Sequence, residues 1–253
     1  MHQAAPVRPP VGPEPASLGV LSGPAGNAFI DVNNLERSAA LFDVGRVAAE
    51  EAEDLSLLAW LLSMQSIGPF FSKRPGEAVE LLAQAQALSA AAPARRRAWI
   101  SAYLARACAA TGSRQAAPRA LDTATADPVN AESEGGIDFF NAARLDRIQG
   151  ASMLLLGDYE AAGSLLLAAM SQRDPTDTKG RALTTLDLAD CRVGQGEVEE
   201  ACRLAHTALD MANGSSMVQP IISRARGLRS TPAPWQESAP VIALAERVQE
   251  SAA

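Results

Sequence analysis

The sequence predicts an all-α fold, a right-handed solenoid of antiparallel helix pairs. The first observation is internal repetition. Ala59-Trp60 recurs as Ala98-Trp99, 39 positions on. Gly76-Glu77-Ala78 is followed 39 positions later by Gln115-Ala116-Ala117, and Gly157-Asp158-Tyr159-Glu160-Ala161-Ala162 by Gly196-Glu197-Val198-Glu199-Glu200-Ala201. Counted on a small residue of each second helix, the series runs Ala39, Ala78, Ala117, Ala162, Ala201, in steps of 39, 39, 45 and 39. A fixed period of about 20–50 residues marks units that bury their apolar faces only on their neighbours. The second observation is the composition: 47% apolar residues, largely Ala and Leu, with 4% aromatics. Alanine has the best helix propensity. The third is the absence of sustained period-2 alternation of β-branched residues.

Taken in order, residues 1–27 are rich in Pro, Gly and Ala and read as a disordered leader. The helical repeat domain is expected over 28–253. Helical periodicity begins near Leu35 and gives a first helix over 35–52, ending at Glu53-Asp54. A second runs to about Phe71, with a kink expected at Gly68-Pro69. A turn at Lys73-Arg74-Pro75-Gly76 places proline near a helix start, where its missing N–H costs least. Helices follow over 76–91, 94–111 and onward to about 125. A long break at 127–136 accounts for the step of 45, and Asp138 is the expected N-cap of a helix through Leu156. Then come 159–172, 179–193, 197–213 with Asn213-Gly214 as its stop, 216–228 and 239–250. Eleven helices result. The 35–52 helix has no expected partner, because Gly23-Pro24 and Gly26-Asn27 make 20–34 a poor helix. Leu41, Phe42 and Val44 are then left partly uncovered, so self-association, or docking of a further domain, is expected at this end.

The chain of 253 residues carries a net charge of −7 and an isoelectric point near 5.0, without the basic stripe that nucleic-acid binding needs. Lysine occurs only at Lys73 and Lys179. Cys108, Cys191 and Cys202 form no C-x-x-C pair and read as reduced core thiols. No run of about 18 apolar residues predicts a membrane span. No apolar core of the signal-peptide kind is present, and a cytoplasmic location is expected.

The hairpin at 182–213 resembles the tetratricopeptide repeat, with Ala189, Gly196, Ala201 and Ala208 where that motif places small residues. Gly150, Gly157, Asp158, Tyr159, Ala162 and Ala169 match it better still. The reason is steric: the two helices cross at these positions, and a bulky side chain would push them apart. The whole pattern is similar to the C-terminal repeat region of actinobacterial transcriptional regulators that carry a Cro/repressor-type helix-turn-helix. Residues 201–209 and 234–248, with the run Pro234-Trp235-Gln236-Glu237-Ser238-Ala239-Pro240-Val241, carry that resemblance most closely. No helix-turn-helix precedes the repeats in this sequence, and no direct nucleic-acid contact is expected from it.

Catalytic patterns are missing. No G-x-S-x-G, H-E-x-x-H or G-x-x-x-x-G-K-[ST] occurs. Gly23-Pro24-Ala25-Gly26 lacks the lysine of a phosphate loop, His206 reads as a packing or surface residue, and Glu50-Glu51-Ala52-Glu53-Asp54 as a solvated helix end. No enzyme activity, cofactor or metal is expected. What remains is a groove. In tetratricopeptide arrays the first helix of each pair lines the concave face. The resemblance thereby implies a partner-binding surface of Trp60, Ser63, Ile67 and Phe70; Trp99, Ala102 and Arg106; Arg144, Arg147 and Ala151; and Leu186 and Asp190. Arg144 and Arg147 share a helix face, and arginine offers a planar fork for carboxylates or phosphates. A protein or peptide partner, acidic in character, is expected. The competing readings are that the arginines pair with Asp138 or Asp146, that Trp60 and Trp99 are core, and that the array senses a small molecule or signalling peptide.

Overall fold

The computed structural model describes residues 14–126, 140–212, 219–228 and 235–251. Among these the chain is helical, without strands, and forms six antiparallel hairpins. They are α1 (Pro15–Asp31) with α2 (Leu35–Glu51), and α3 (Leu55–Gln65) and α4 (Ile67–Phe71) with α5 (Pro75–Leu88). Next are α6 (Ala94–Ala110) with α7 (Ala116–Ala126), and α8 (Ala142–Leu156) with α9 (Tyr159–Gln172). The last are α10 (Thr178–Gly194) with α11 (Val198–Ala212), and α12 (Gln219–Gly227) with α13 (Ala239–Glu250).

One turn design joins the helices of the first five hairpins. A residue with positive φ ends the first helix: Asn33 (56°), Lys73 (59°), Gly112 (77°), Gly157 (86°) and Gly196 (82°). The following N–H then reaches back five residues to a free carbonyl: Asn34 to Phe29, Arg74 to Pro69, Ser113 to Cys108, Asp158 to Met153 and Glu197 to Arg192, at 2.8–3.0 Å. This satisfies carbonyls that a helix end leaves without partners. Asn34 and Asp158 go on to cap the second helix, accepting from the N–H of Arg37 and Ala161.

Counting from this turn gives the packing rule. Seven residues before the positive-φ residue lie Gly26, Ser66, Ala105, Gly150 and Ala189, all buried. Five residues after it lie Ser38, Ala78, Ala117, Ala162 and Ala201, also buried. These small residues meet where the two helices of a hairpin cross. A Cβ on Gly150 would sit 2.7 Å from Leu166 and 3.1 Å from the Ala162 carbonyl. The first member of the alanine series is therefore Ser38; Ala39 is exposed, one position out of register.

The N-terminal expectation needs correction. Residues 15–31 form a helix, not a leader, and give α2 its hairpin partner. Gly19, Gly23 and Gly26 share one face of α1, and each lies against a large side chain. An added Cβ would come within 2.8 Å of Leu57, 2.4 Å of the Trp60 ring and 2.8 Å of the Phe42 ring, respectively. Phe42 is consequently buried, while Val44 stays exposed. Residues 1–13 lie outside the described residues, as do the break at 127–136, Asp138 and the Asn213-Gly214 stop. The cap of α8 is Asn141, which accepts from the Arg144 N–H. The kink expected at Gly68-Pro69 falls at Ser66. Proline excludes the carbonyl four residues before it, here that of Gln65, the last residue of α3. Two main cores result, one around Trp60, Leu61, Ile100 and Ile148 and one around Leu186, Ala205, Ile221 and Leu244.

Candidate functional site

The first helices of the hairpins, α1, α3/α4, α6, α8, α10 and α12, face inward. Six residues before each positive-φ turn stand Asn27, Ile67, Arg106, Ala151 and Asp190, and all five line two adjoining cavities. The larger has a volume of about 470 Å³ and the smaller about 230 Å³. Phe71, Arg106, Arg147 and Pro220 border both. The larger is otherwise lined by Ile30, Asn33, Phe70, Leu154, Leu155, Asp187 and Arg224, among others; the smaller by Asp31, Trp99, Tyr103, Arg144, Arg173, Asp177 and Lys179. Together they bring eight cationic side chains against four carboxylates, in a protein whose net charge is −7.

A buried charge cluster forms the floor. Asp187 is held by Arg147 of α8 (Nε to Oδ2, 2.8 Å) and Arg224 of α12 (Nη2 to Oδ1, 2.7 Å). Arg224 also reaches Asp190 at 2.7 Å. The Arg147 contact is a close ion pair without an aligned hydrogen bond. Burial pushes the Asp187 carboxyl up, but the two guanidiniums outweigh it and hold it below the usual carboxylate range. For Asp190 burial wins and the carboxyl lies above that range.

Arg106 stands apart. It is 4% exposed, and among the described residues it makes no ion pair and its Nε has no hydrogen-bond partner. Its guanidinium carbon instead lies 4.1 Å from the Phe70 ring centre and 4.6 Å from that of Tyr103. Burial lowers its pKa to about 10, so it stays charged at neutral pH. At the rim Lys179 of α10 pairs with Asp31 of α1, 148 positions away, tying the first hairpin across to the fifth.

Of the twelve residues expected on the inner face, eight border the cavities: Ile67, Phe70, Trp99, Arg106, Arg144, Arg147, Ala151 and Asp190. Trp60, Ser63, Ala102 and Leu186 border neither and are buried core; the Ser63 hydroxyl donates to the Trp60 carbonyl. Trp99 is both: it is 4% exposed, stacks on Phe140 and lines the smaller cavity. Arg147 does not pair with Asp146, which instead accepts from Gln172. Asp187 and Arg224, which complete the cluster, were missed. So were Asn27 and Asp31, because α1 was not recognised. Asp187 stands one turn before Asp190, a spacing that signals a shared face; nothing local marks Arg224. The three cysteines are buried and free, and burial raises their thiols, Cys191 to about 12. Among the described residues no helix is long and apolar enough to cross a membrane.

Solved structures share this architecture. A kinesin light chain candidate from Podosopora anserina, made of nearly identical TPR-like repeats, aligns over 81% of this chain and 100% of its own, at 17% identity and a TM-score of 0.50. A variant of it aligns over 80% and 97%, at 17% identity and 0.51. The fold is a TPR-like α-solenoid. No family model matches the sequence. No curated protein matches it. The TPR-like turn positions nevertheless explain why one residue per hairpin, six before the turn, faces the cavities.

Proposed function

We propose that this chain is a non-catalytic TPR-like interaction module whose inner face binds an acidic protein or peptide segment. The observation that carries the reading is the excess of cations around the two cavities of an acidic protein. Arginine with aromatic neighbours is the usual composition of an interface hot spot. The similarity of 201–209 and 234–248 to the repeat regions of actinobacterial regulators supports a role in bacterial transcriptional regulation or signalling, in the cytoplasm. The test uses the less buried cations, Arg144 at the smaller cavity and Arg226 at the larger, since Arg147 is committed to Asp187. Arg144→Glu with Arg226→Glu should weaken binding of an Asp/Glu-rich peptide at least tenfold in calorimetry, with helicity unchanged. Unaltered affinity would move the site off this face.

A second reading has its own observation. The larger cavity is bordered on one side by Ile30 and Asn33 and on the other by Pro220 and Arg224. The Asp31–Lys179 pair ties the first hairpin across to the fifth. Such a cavity suits a small effector, and the module is then a ligand-sensing domain.

A further inference from the structure

We infer that the larger cavity is a binding site for a compact monocarboxylic acid with an apolar or aromatic body, whose carboxylate pairs with Arg106. This rests on the ligand-sensing reading above. The charge count comes first. Arg106, Arg147 and Arg224 share the floor with Asp187 and Asp190. Both carboxylates are already engaged by Arg147 and Arg224. One buried positive charge is left over, and Arg106 carries it. An uncompensated charge in the interior is strongly unfavourable, and one anion relieves it.

Geometry then selects the anion. Phe70 and Tyr103 lie over the Arg106 guanidinium. A guanidinium stacked on its faces keeps its N–H edge for a two-oxygen acceptor. Lys73 and Arg226 also border the cavity, but at its exposed rim; the buried floor holds a single excess charge, which one carboxylate matches. Ile30, Phe71, Ala151 and Leu154 supply apolar wall for the rest of the molecule. A volume of about 470 Å³ lies in the range of small-ligand sites.

The test uses the full chain with 3-phenylpropionate, its uncharged amide, and an acidic tetrapeptide with a free carboxyl end. Calorimetry should show saturable one-to-one binding of the acid, with the amide at least tenfold weaker. Arg106→Gln should lose the acid at least tenfold while keeping its circular dichroism. Without ligand, its melting temperature should stay level or rise, because the uncompensated charge is gone; a structural arginine would lower it. Should Arg106→Gln fail to fold, the acid-against-amide ratio in the unaltered chain decides. The inference is overturned if acid and amide bind alike, if neither binds by 10 mM, or if Arg106→Gln retains the acid. Binding of the tetrapeptide alone, lost in the Arg144/Arg226 variant, also overturns it and leaves the acidic-peptide reading standing. Binding of the acid alone, retained in Arg144→Glu, whose side chain borders only the smaller cavity, supports it and removes the peptide reading.

Discussion

Glu53 holds φ at 53°, a left-handed conformation that disfavours side chains with a Cβ. Its N–H bonds the Glu50 carbonyl and the next N–H the Ala49 carbonyl, so the backbone geometry is imposed by the helix stop. Glu53→Gly should therefore raise stability, by up to about 1 kcal/mol in denaturant titration. The glycines of α1 behave in the opposite way. Gly23→Ala places a methyl 2.4 Å from the Trp60 ring. Alanine's helix preference, worth about 1 kcal/mol, is opposed there by overpacking of about 1–3 kcal/mol, and net destabilisation is expected. Gly163 in α9 is the control: an added Cβ meets nothing within 4 Å, so Gly163→Ala should stabilise by about 0.5–1 kcal/mol. A gain at both glycines would mean that α1 does not pack as described.

The hairpin is the unit in which packing and charge are decided. Ala162 and Ala201, almost fully buried at the crossings, leave no space for a larger side chain. Ala162→Leu or Ala201→Leu should cost about 1–3 kcal/mol, whereas a change at exposed Glu199 should stay within about 0.5 kcal/mol. Between hairpins, Asp187 links α8, α10 and α12. Its removal leaves Arg147 without its acid, and Asp187→Ala should cost about 3–5 kcal/mol. The pH response follows from the depressed carboxyl. Asp187 contributes stability above the ordinary value of 3.8 and loses it as pH falls through its lower folded value. The stability gap between the parent chain and Asp187→Asn should thus narrow as pH drops from 5 towards 2. Asp190, raised in the fold, acts with the opposite sign: Asp190→Asn should remove a contribution that falls as pH rises past 3.8. A gap for Asp187→Asn that widens in acid would contradict the pairing with Arg147 and Arg224.

At the scale of the molecule, six hairpins curve until the first meets the fifth, and Asp31 with Lys179 marks the meeting point. Lys179→Ala should raise hydrogen exchange in α1 and α2 more than in α11, whose contacts are independent of the tie. Equal protection throughout would show that packing alone closes the ring. The outer face of the first hairpin keeps Leu21, Val44 and Val47 exposed, at 67%, 45% and 54%. We propose self-association through this face, with α1 taking part instead of lying outside the fold. Leu21→Glu with Val47→Glu should shift light-scattering mass to the monomer at high concentration; a parent chain already monomeric there would remove the proposal.

The repeat period, the helix pairing and the inward-facing positions were legible because they rest on local rules. A helix stop, a small residue at a crossing and a face with a 3.6-residue period each occupy a few adjacent positions. Ile67, Arg106, Ala151 and Asp190 could be placed inward by counting alone, and so could the crossing alanines. The helix at Pro15–Asp31 was not legible. Its glycines lower helix propensity, and what offsets them is contact with Leu57, Phe42 and Trp60, up to 38 positions downstream. The register of Ser38 over Ala39 is likewise set by which side the partner helix occupies. The division among the arginines depends on tertiary contacts too. Arg147 is neutralised by Asp187, 40 positions on, and Asp187 and Asp190 are shared with Arg224. Arg106 is left stacked with aromatic rings and, among the described residues, makes no ion pair. Charge type is written residue by residue, but the pairing of buried charges depends on distances that exist only once the hairpins have stacked.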